Sequence, residues 1–214
     1  MPTTIRAAIR RVPQQHRAQE RIESILAAAA EEVTAKGLDQ LTMVGIAARA
    51  GITHTSIYHY FPTVEAVLVE LVTRLIWDFD QDLGAALAAA PGLPALTDAV
   101  IGGLERLFAT YSRTPVARAI WSASRYMPAL RKIDDEDSAR VARLIADRFI
   151  ALAPAADRES IEITLVLLAS LTVPSFEVVL SHPKRRQRRA LEDYLALVRG
   201  RLRQIAASDA LPAD

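Results

Sequence analysis

The chain has 214 residues, 26 Lys and Arg against 25 Asp and Glu, a formal net charge of +1 and no cysteine. Without cysteine there is no disulfide framework and no thiolate metal or redox site. With almost balanced charge, nucleic-acid binding has to be argued from where the charges lie, because the total is uninformative. Half the residues are hydrophobic, glycines are few and no alternating strand pattern occurs, so an Ala- and Leu-rich, all-α protein is expected, long enough for a small domain joined to a larger one.

Residues 1–16 hold Arg6, Arg10 and Arg11, with Arg17 and Arg21 following. Pro2 and Pro13 are expected to break a long helix there, leaving a flexible basic arm whose Arg10 and Arg11 can follow phosphates or enter a minor groove. From residue 17 to 36, Ile22, Ile25, Leu26, Ala29 and Val33 keep a helical period. Gly37 ends this first helix of a three-helix head.

Residues 38–67 carry the densest punctuation. Thr42 is placed to cap a helix through its hydroxyl, Met43, Ile46, Ala47 and Ala50 recur at helical spacing, and Gly51 ends it. Thr53 caps the next helix, in which Ile57 and Phe61 share a buried face and Pro62 follows. Two short helices at a fixed angle make a helix-turn-helix. Left pointing outward are Thr53, His54, Thr55, Ser56, Tyr58, His59 and Tyr60, hydrogen-bonding and planar groups suited to base edges and phosphates in a major groove.

Thr42, Ala47, Gly51, Thr53, Ile57, Tyr58, Phe61, Pro62, Glu65 and Ala66 together resemble the signature of the tetracycline-repressor (TetR) family of bacterial regulators. The resemblance covers about the first third of the chain. It implies a helix-turn-helix DNA-binding domain at residues 17–63 and a larger helical ligand-binding and dimerisation domain at 64–214. It implies too a homodimer on an operator of double-stranded DNA, paired through its last two helices in a four-helix bundle, and a small-molecule effector. Two positions depart from the family pattern. Val64 stands where a phosphate-reaching Lys is usual, and His54-Thr55 replaces Lys-Gly in the recognition helix. The rival expectation is a helical small-molecule binder whose head has lost DNA function.

A long helix is expected over 64–89, with Leu68, Leu71, Leu75, Phe79, Leu83 and Leu87 along one stripe, ended by Pro91, Gly92 and Pro94. Helices follow over 95–111, interrupted by the Gly102-Gly103 pair, over 115–126, and from Pro128 through Leu152. The acidic run 134–137 is expected to be a solvated face. Residues 157–180 are apolar on all sides, which calls for burial against the chain's own domain on one side and a second subunit on another. Pro174 kinks or ends that helix, and the run is too short and too closely flanked by charge to span a membrane. A last helix over 184–206 shows Leu191, Tyr194, Leu195, Val198, Leu202 and Ile205 as a stripe expected to supply the other half of the dimer interface. The cations 184–189 are expected to form a solvated or interface-bridging turn.

His16, His54, His59 and His182 offer no helical metal pair, and neither a phosphate loop nor a nucleophile context occurs, so neither catalyst nor metal nor cofactor is expected. Phe108, Tyr111, Trp121, Tyr126, Phe149 and Phe176 lie in the helices that in the resembled family enclose an effector pocket, so a small hydrophobic or aromatic ligand is expected there. Arg118, Arg125 and Arg148 are candidates for orienting an anionic one. The N-terminus lacks the apolar segment of a secretory signal, and a cytoplasmic protein is expected.

Overall fold

The computed structural model describes residues 3–208, with side chains described over 16–206 except at residue 78. Its backbone is helical, with no strand among the described residues: α1 Thr3–Lys36, a 3-10 turn Leu38–Gln40, α2 Met43–Arg49, α3 His54–Ile57, α4 Val64–Ala89, α5 Leu93–Arg113, α6 Pro115–Ala123, α7 Pro128–Leu152, α8 Arg158–Ser170, α9 Thr172–Ser181 and α10 Lys184–Ser208. The chain divides into two compact units, 1–71 and 72–214, and the division falls inside α4.

In the first unit, α1 begins at Thr3 and runs through Pro13, which corrects the expectation that prolines break a long helix there. Proline's φ is already helical. What it forfeits is one backbone bond and some crowding with the carbonyl a turn back, and the Ala- and Arg-rich flanks carry the helix past it. Ile25, Leu26, Ala29 and Val33 of α1 are buried, as are Leu41, Met43, Ile46, Ala47, Ile57 and Phe61. The Thr42 hydroxyl accepts the Gly45 N–H at 3.1 Å and caps α2. Gly51 leaves α2 at φ +65°, a left-handed conformation that costs an L side chain roughly 1–2 kcal/mol.

In the second unit, α5, α6 and α7 each open with proline in the first two positions, where the missing N–H would have had no helical partner. A continuous apolar core joins Leu83 and Leu87 of α4, Leu96, Val100 and Ile101 of α5, Ile145 and Phe149 of α7, Ile161 and Leu165 of α8, and Leu195, Val198, Leu202 and Ile205 of α10. The α10 stripe thus packs inside its own unit, which corrects its expected place in the dimer interface: helical periodicity reveals a buried face but not what buries it. Gly103 marks a close approach, since a Cβ there would stand 3.0 Å from Cδ1 of Leu83. At the far end of α4, Arg148 donates from Nε to the Leu87 carbonyl at 3.1 Å and from Nη2 to the Ala90 carbonyl, satisfying acceptors that a helix terminus leaves free.

The apolar run Arg158–Ser181 is long and apolar enough to cross a membrane by composition alone. It folds as two helices that meet at Leu171. The break precedes Pro174 because the ring excludes a helical carbonyl one turn upstream and needs no N–H in the first turn of α9.

Candidate nucleic-acid interface and apolar cavity

α3 is four residues long, and its geometry follows from Thr53. The Thr53 hydroxyl accepts the Ser56 N–H at 3.2 Å and donates to the Ser56 hydroxyl at 2.9 Å, so these two side chains hold the turn. Ile57 is fully buried on the inner side, while His54, Thr55, Tyr58 and His59 are exposed and Ser56 and Tyr60 half-buried. The rings of His54 and Tyr58 meet edge to face at 5.0 Å, with Nε2 and the phenol oxygen 3.2 Å apart. One turn of helix thus presents a braced imidazole and phenol beside a second outward pair, Thr55 and His59. Thr42 is exposed at the start of α2 with its hydroxyl engaged in the cap. The side chains of Arg10 and Arg11 lie outside the described residues.

α2 is tied to α1 by charge. The Glu32 carboxylate, 6% exposed, accepts from Arg49 Nε at 3.0 Å and pairs with Lys36 at 2.9 Å, and Arg49 reaches Glu31 at 3.2 Å. Hydrogen bonds from Lys36 and then Arg49 hold the Glu32 carboxyl below its ordinary 4.5, against a smaller opposing effect of burial. A depressed carboxyl contributes stability that is complete above the unfolded value and is lost as pH falls through the folded one. Glu32→Gln is therefore expected to lower the stability of the first unit at pH 7 and to shrink its loss on acidification below about 4.5. Denaturant melts followed by head-specific amide signals between pH 7 and pH 3 measure both.

Within the second unit lies a cavity of about 100 Å³, the same order as the roughly 150 Å³ apolar hole that admits benzene in an engineered protein. Ile76, Phe79, Leu104, Leu107, Trp121 and Ile145 contribute to its apolar wall, and its polar groups are Asp134, Asp137, Ser138, Thr172 and Tyr194. Of the six aromatic residues expected around a ligand, Trp121 lines it. Tyr111, Phe176 and Phe108 pack with Trp121 in a neighbouring aromatic cluster. Phe149 sits in the main core at 3% exposure, and Tyr126 is 65% exposed.

The acidic run is not a uniformly solvated face. Asp135 and Glu136 are exposed, whereas Asp134 and Asp137 line the cavity. Their spacing of three puts them on one side of α7, a signal that comparing adjacent acids misses. Burial pushes both carboxyls above the ordinary aspartate range. The arginines considered for an anionic ligand are engaged elsewhere: Arg148 caps α4, Arg125 pairs with Glu177, and Arg118 lies on a separate shallow groove with Glu177.

A second apolar surface faces outward. Ile163, Leu167 and Leu171 are spaced by four and each more than half exposed, and Leu197 of α10 is 74% exposed. Arg201, one turn beyond Leu197, reaches the Thr164 hydroxyl at 3.3 Å and links α10 to α8. An exposed apolar row such as that on α8 marks a candidate surface for contact with another protein. The 184–189 cluster is largely solvated, with Arg188 and Arg189 paired to Glu192 and Asp193 of their own helix.

A helix-turn-helix head on an all-helical, cavity-bearing second unit defines a DNA-binding transcription regulator. Residues 25–71 match the family model described as bacterial regulatory proteins, tetR family, and residues 93–206 match that of the tetracyclin repressor-like C-terminal domain. The chain belongs to the TetR family. It is 31% identical over 114 residues to the HTH-type transcriptional regulator EthR of Mycolicibacterium smegmatis, a match covering 53% of this chain and 52% of that protein, so the chain spans about half the length of this curated relative. Its fold resembles a transcriptional regulator from Rhodococcus sp. Rha1, with TM-score 0.66 and 20% identity over 86% of this chain and 96% of that one. It also resembles SmeT, the repressor of the Stenotrophomonas maltophilia multidrug efflux pump SmeDEF, with TM-score 0.62 and 22% identity over 82% and 89%.

Proposed function

We propose that the protein is a cytoplasmic, ligand-responsive transcriptional repressor that binds a palindromic operator as a homodimer and leaves it when a small, largely apolar effector fills the second unit. The observation that carries this reading is the outward face of α3, four polar and aromatic side chains held on a helix whose inner residue, Ile57, is fully buried. His54, Thr55, Tyr58 and His59 read base edges, with Ser56 and Tyr60 beside them. Thr42 and Thr53 sit at helix starts, where backbone N–H groups meet phosphates. Arg10 and Arg11 add phosphate contacts that weaken as salt rises.

Dimerisation uses the exposed faces of α8 and α10 around Ile163, Leu167, Leu171 and Leu197. This keeps the helices expected from the family resemblance but assigns the contact to residues other than the buried α10 stripe. Two α3 helices related by a two-fold axis then enter successive major grooves about 34 to 36 Å apart. An effector that binds better to a dimer with differently spaced heads shifts the population away from the DNA-competent form, and DNA weakens the effector by the same factor. SmeT, which shares the fold, is a repressor, and this supports the proposed sign of regulation.

Sequencing genomic fragments retained by the purified full chain tests the proposal. Inverted repeats with half-sites one helical turn apart are the expected result. Fragments without sequence preference would overturn it in favour of a small-molecule binder with a silent head.

A further inference from the structure

The effector cavity carries its own chemical preference. Its described lining residues include no Lys, Arg or His. Asp137 is paired with Arg140, which also bonds Asp80 at 2.5 Å. Asp134 is not: the Ser124 hydroxyl, 3.3 Å away, is its only polar contact among the described residues, and that hydroxyl lies closer, at 2.7 Å, to the Trp121 carbonyl. A single hydroxyl proton serves one of the two well, so the Asp134 carboxyl is left without a cationic partner in a largely apolar cavity.

The other polar end of the cavity also accepts. Thr172 donates its one proton to the Leu168 carbonyl at 2.9 Å, so the 3.0 Å bridge between Thr172 and Tyr194 takes the tyrosine proton. The phenol oxygen of Tyr194 then faces the cavity with only lone pairs to offer. Asp134 and Tyr194 both ask for donors, and Asp134 asks for positive charge, while the Ser138 hydroxyl beside Asp134 can donate or accept. A buried charge left without a partner is costly, and a ligand that supplies the partner is selected over a neutral or anionic one of equal size.

We propose that this cavity takes small organic cations, a protonated amine on an apolar body of about one ring, with the ammonium against Asp134. The inference rests on the reading of the second unit as an effector domain and names the effector's class. An anion is disfavoured twice, by Asp134 and by the acceptor at Tyr194. Burial of Asp134 is consistent with it, since desolvation raises that carboxyl in the absence of any counter-charge.

Calorimetric titration of the full chain with benzylamine, benzyl alcohol and benzoate, three probes of nearly one size, tests the charge preference. The wild type is expected to bind benzylamine about 10-fold to 100-fold more tightly than benzyl alcohol, the range of one charged hydrogen bond, with benzoate weakest. Asp134→Asn should erase that preference, weakening benzylamine at least about tenfold more than benzyl alcohol, and its ligand-free melting temperature should equal or exceed the wild type's. Equal affinity for benzylamine and benzyl alcohol, or an amine preference surviving in the variant, would overturn the inference and leave the effector reading standing. No binding of any probe would overturn both.

Discussion

Tyr58→Ala is expected to lower operator affinity by about 30-fold to 10⁴-fold while the protein keeps its fold and its oligomeric state. A good base contact is worth about 1–3 kcal/mol, a two-fold symmetric complex loses it twice, and each 1.4 kcal/mol is tenfold. The fold should survive because Tyr58 is 45% exposed and its described contact is the His54 ring, whereas the head is held by Ile57 and its neighbours. His54→Ala is expected to act in the same direction, and the double variant should fall short of the sum, because each ring positions the other at 5.0 Å. Gel shifts at fixed salt measure the affinities, and circular dichroism checks the fold. Unchanged affinity in both single variants would remove α3 as the reading element.

Leu167→Glu is expected to convert the proposed dimer to a folded monomer and to abolish tight operator binding. Leu167 is 58% exposed at the centre of the Ile163, Leu167 and Leu171 row, so its replacement leaves the unit's own core untouched. In a two-fold interface the side chain is buried twice. At about 1.5–3 kcal/mol per leucine the lost burial alone weakens association by about 10² to 10⁴, before the cost of facing two carboxylates across an apolar surface. Sedimentation velocity at micromolar concentration reads the dissociation, and the melting temperature separates it from unfolding. A dimer of unchanged strength would move the interface elsewhere. Val198→Glu, by contrast, should unfold the second unit, since Val198 is 3% exposed within its core.

The head was legible from sequence because its determinants act over a few residues. A threonine hydroxyl caps a helix three positions on, a glycine permits a positive φ, and Ile57 and Phe61 share a face by spacing alone. The cavity was not legible in the same way. Which face of an aromatic residue meets a void depends on helices far apart in sequence, so Trp121 lines it while Phe149 fills core and Tyr126 lies in solvent. Asp134 and Asp137 carried a readable signal in their spacing of three. The stripe of α10 announced a buried side but not its partner, and the row on α8 was hidden in a segment apolar all round. Pro13 misled because its constraint on φ agrees with a helix even as its missing N–H opposes one.

Arg148 and Arg140 do more than satisfy acceptors. Together they fasten α7 to α4 at two stations, Asp80 near the middle of α4 and the Leu87 and Ala90 carbonyls at its end. The same α7 carries Asp134 into the cavity wall. In the proposed effector reading, a guest that displaces α7 is expected to pull on the last three turns of α4 through these bonds. α4 in turn is one unbroken helix back to Val64, two residues past Pro62. With the cavity taken as the proposed effector site, Arg148→Ala is expected to free α7 from the end of α4 within the second unit.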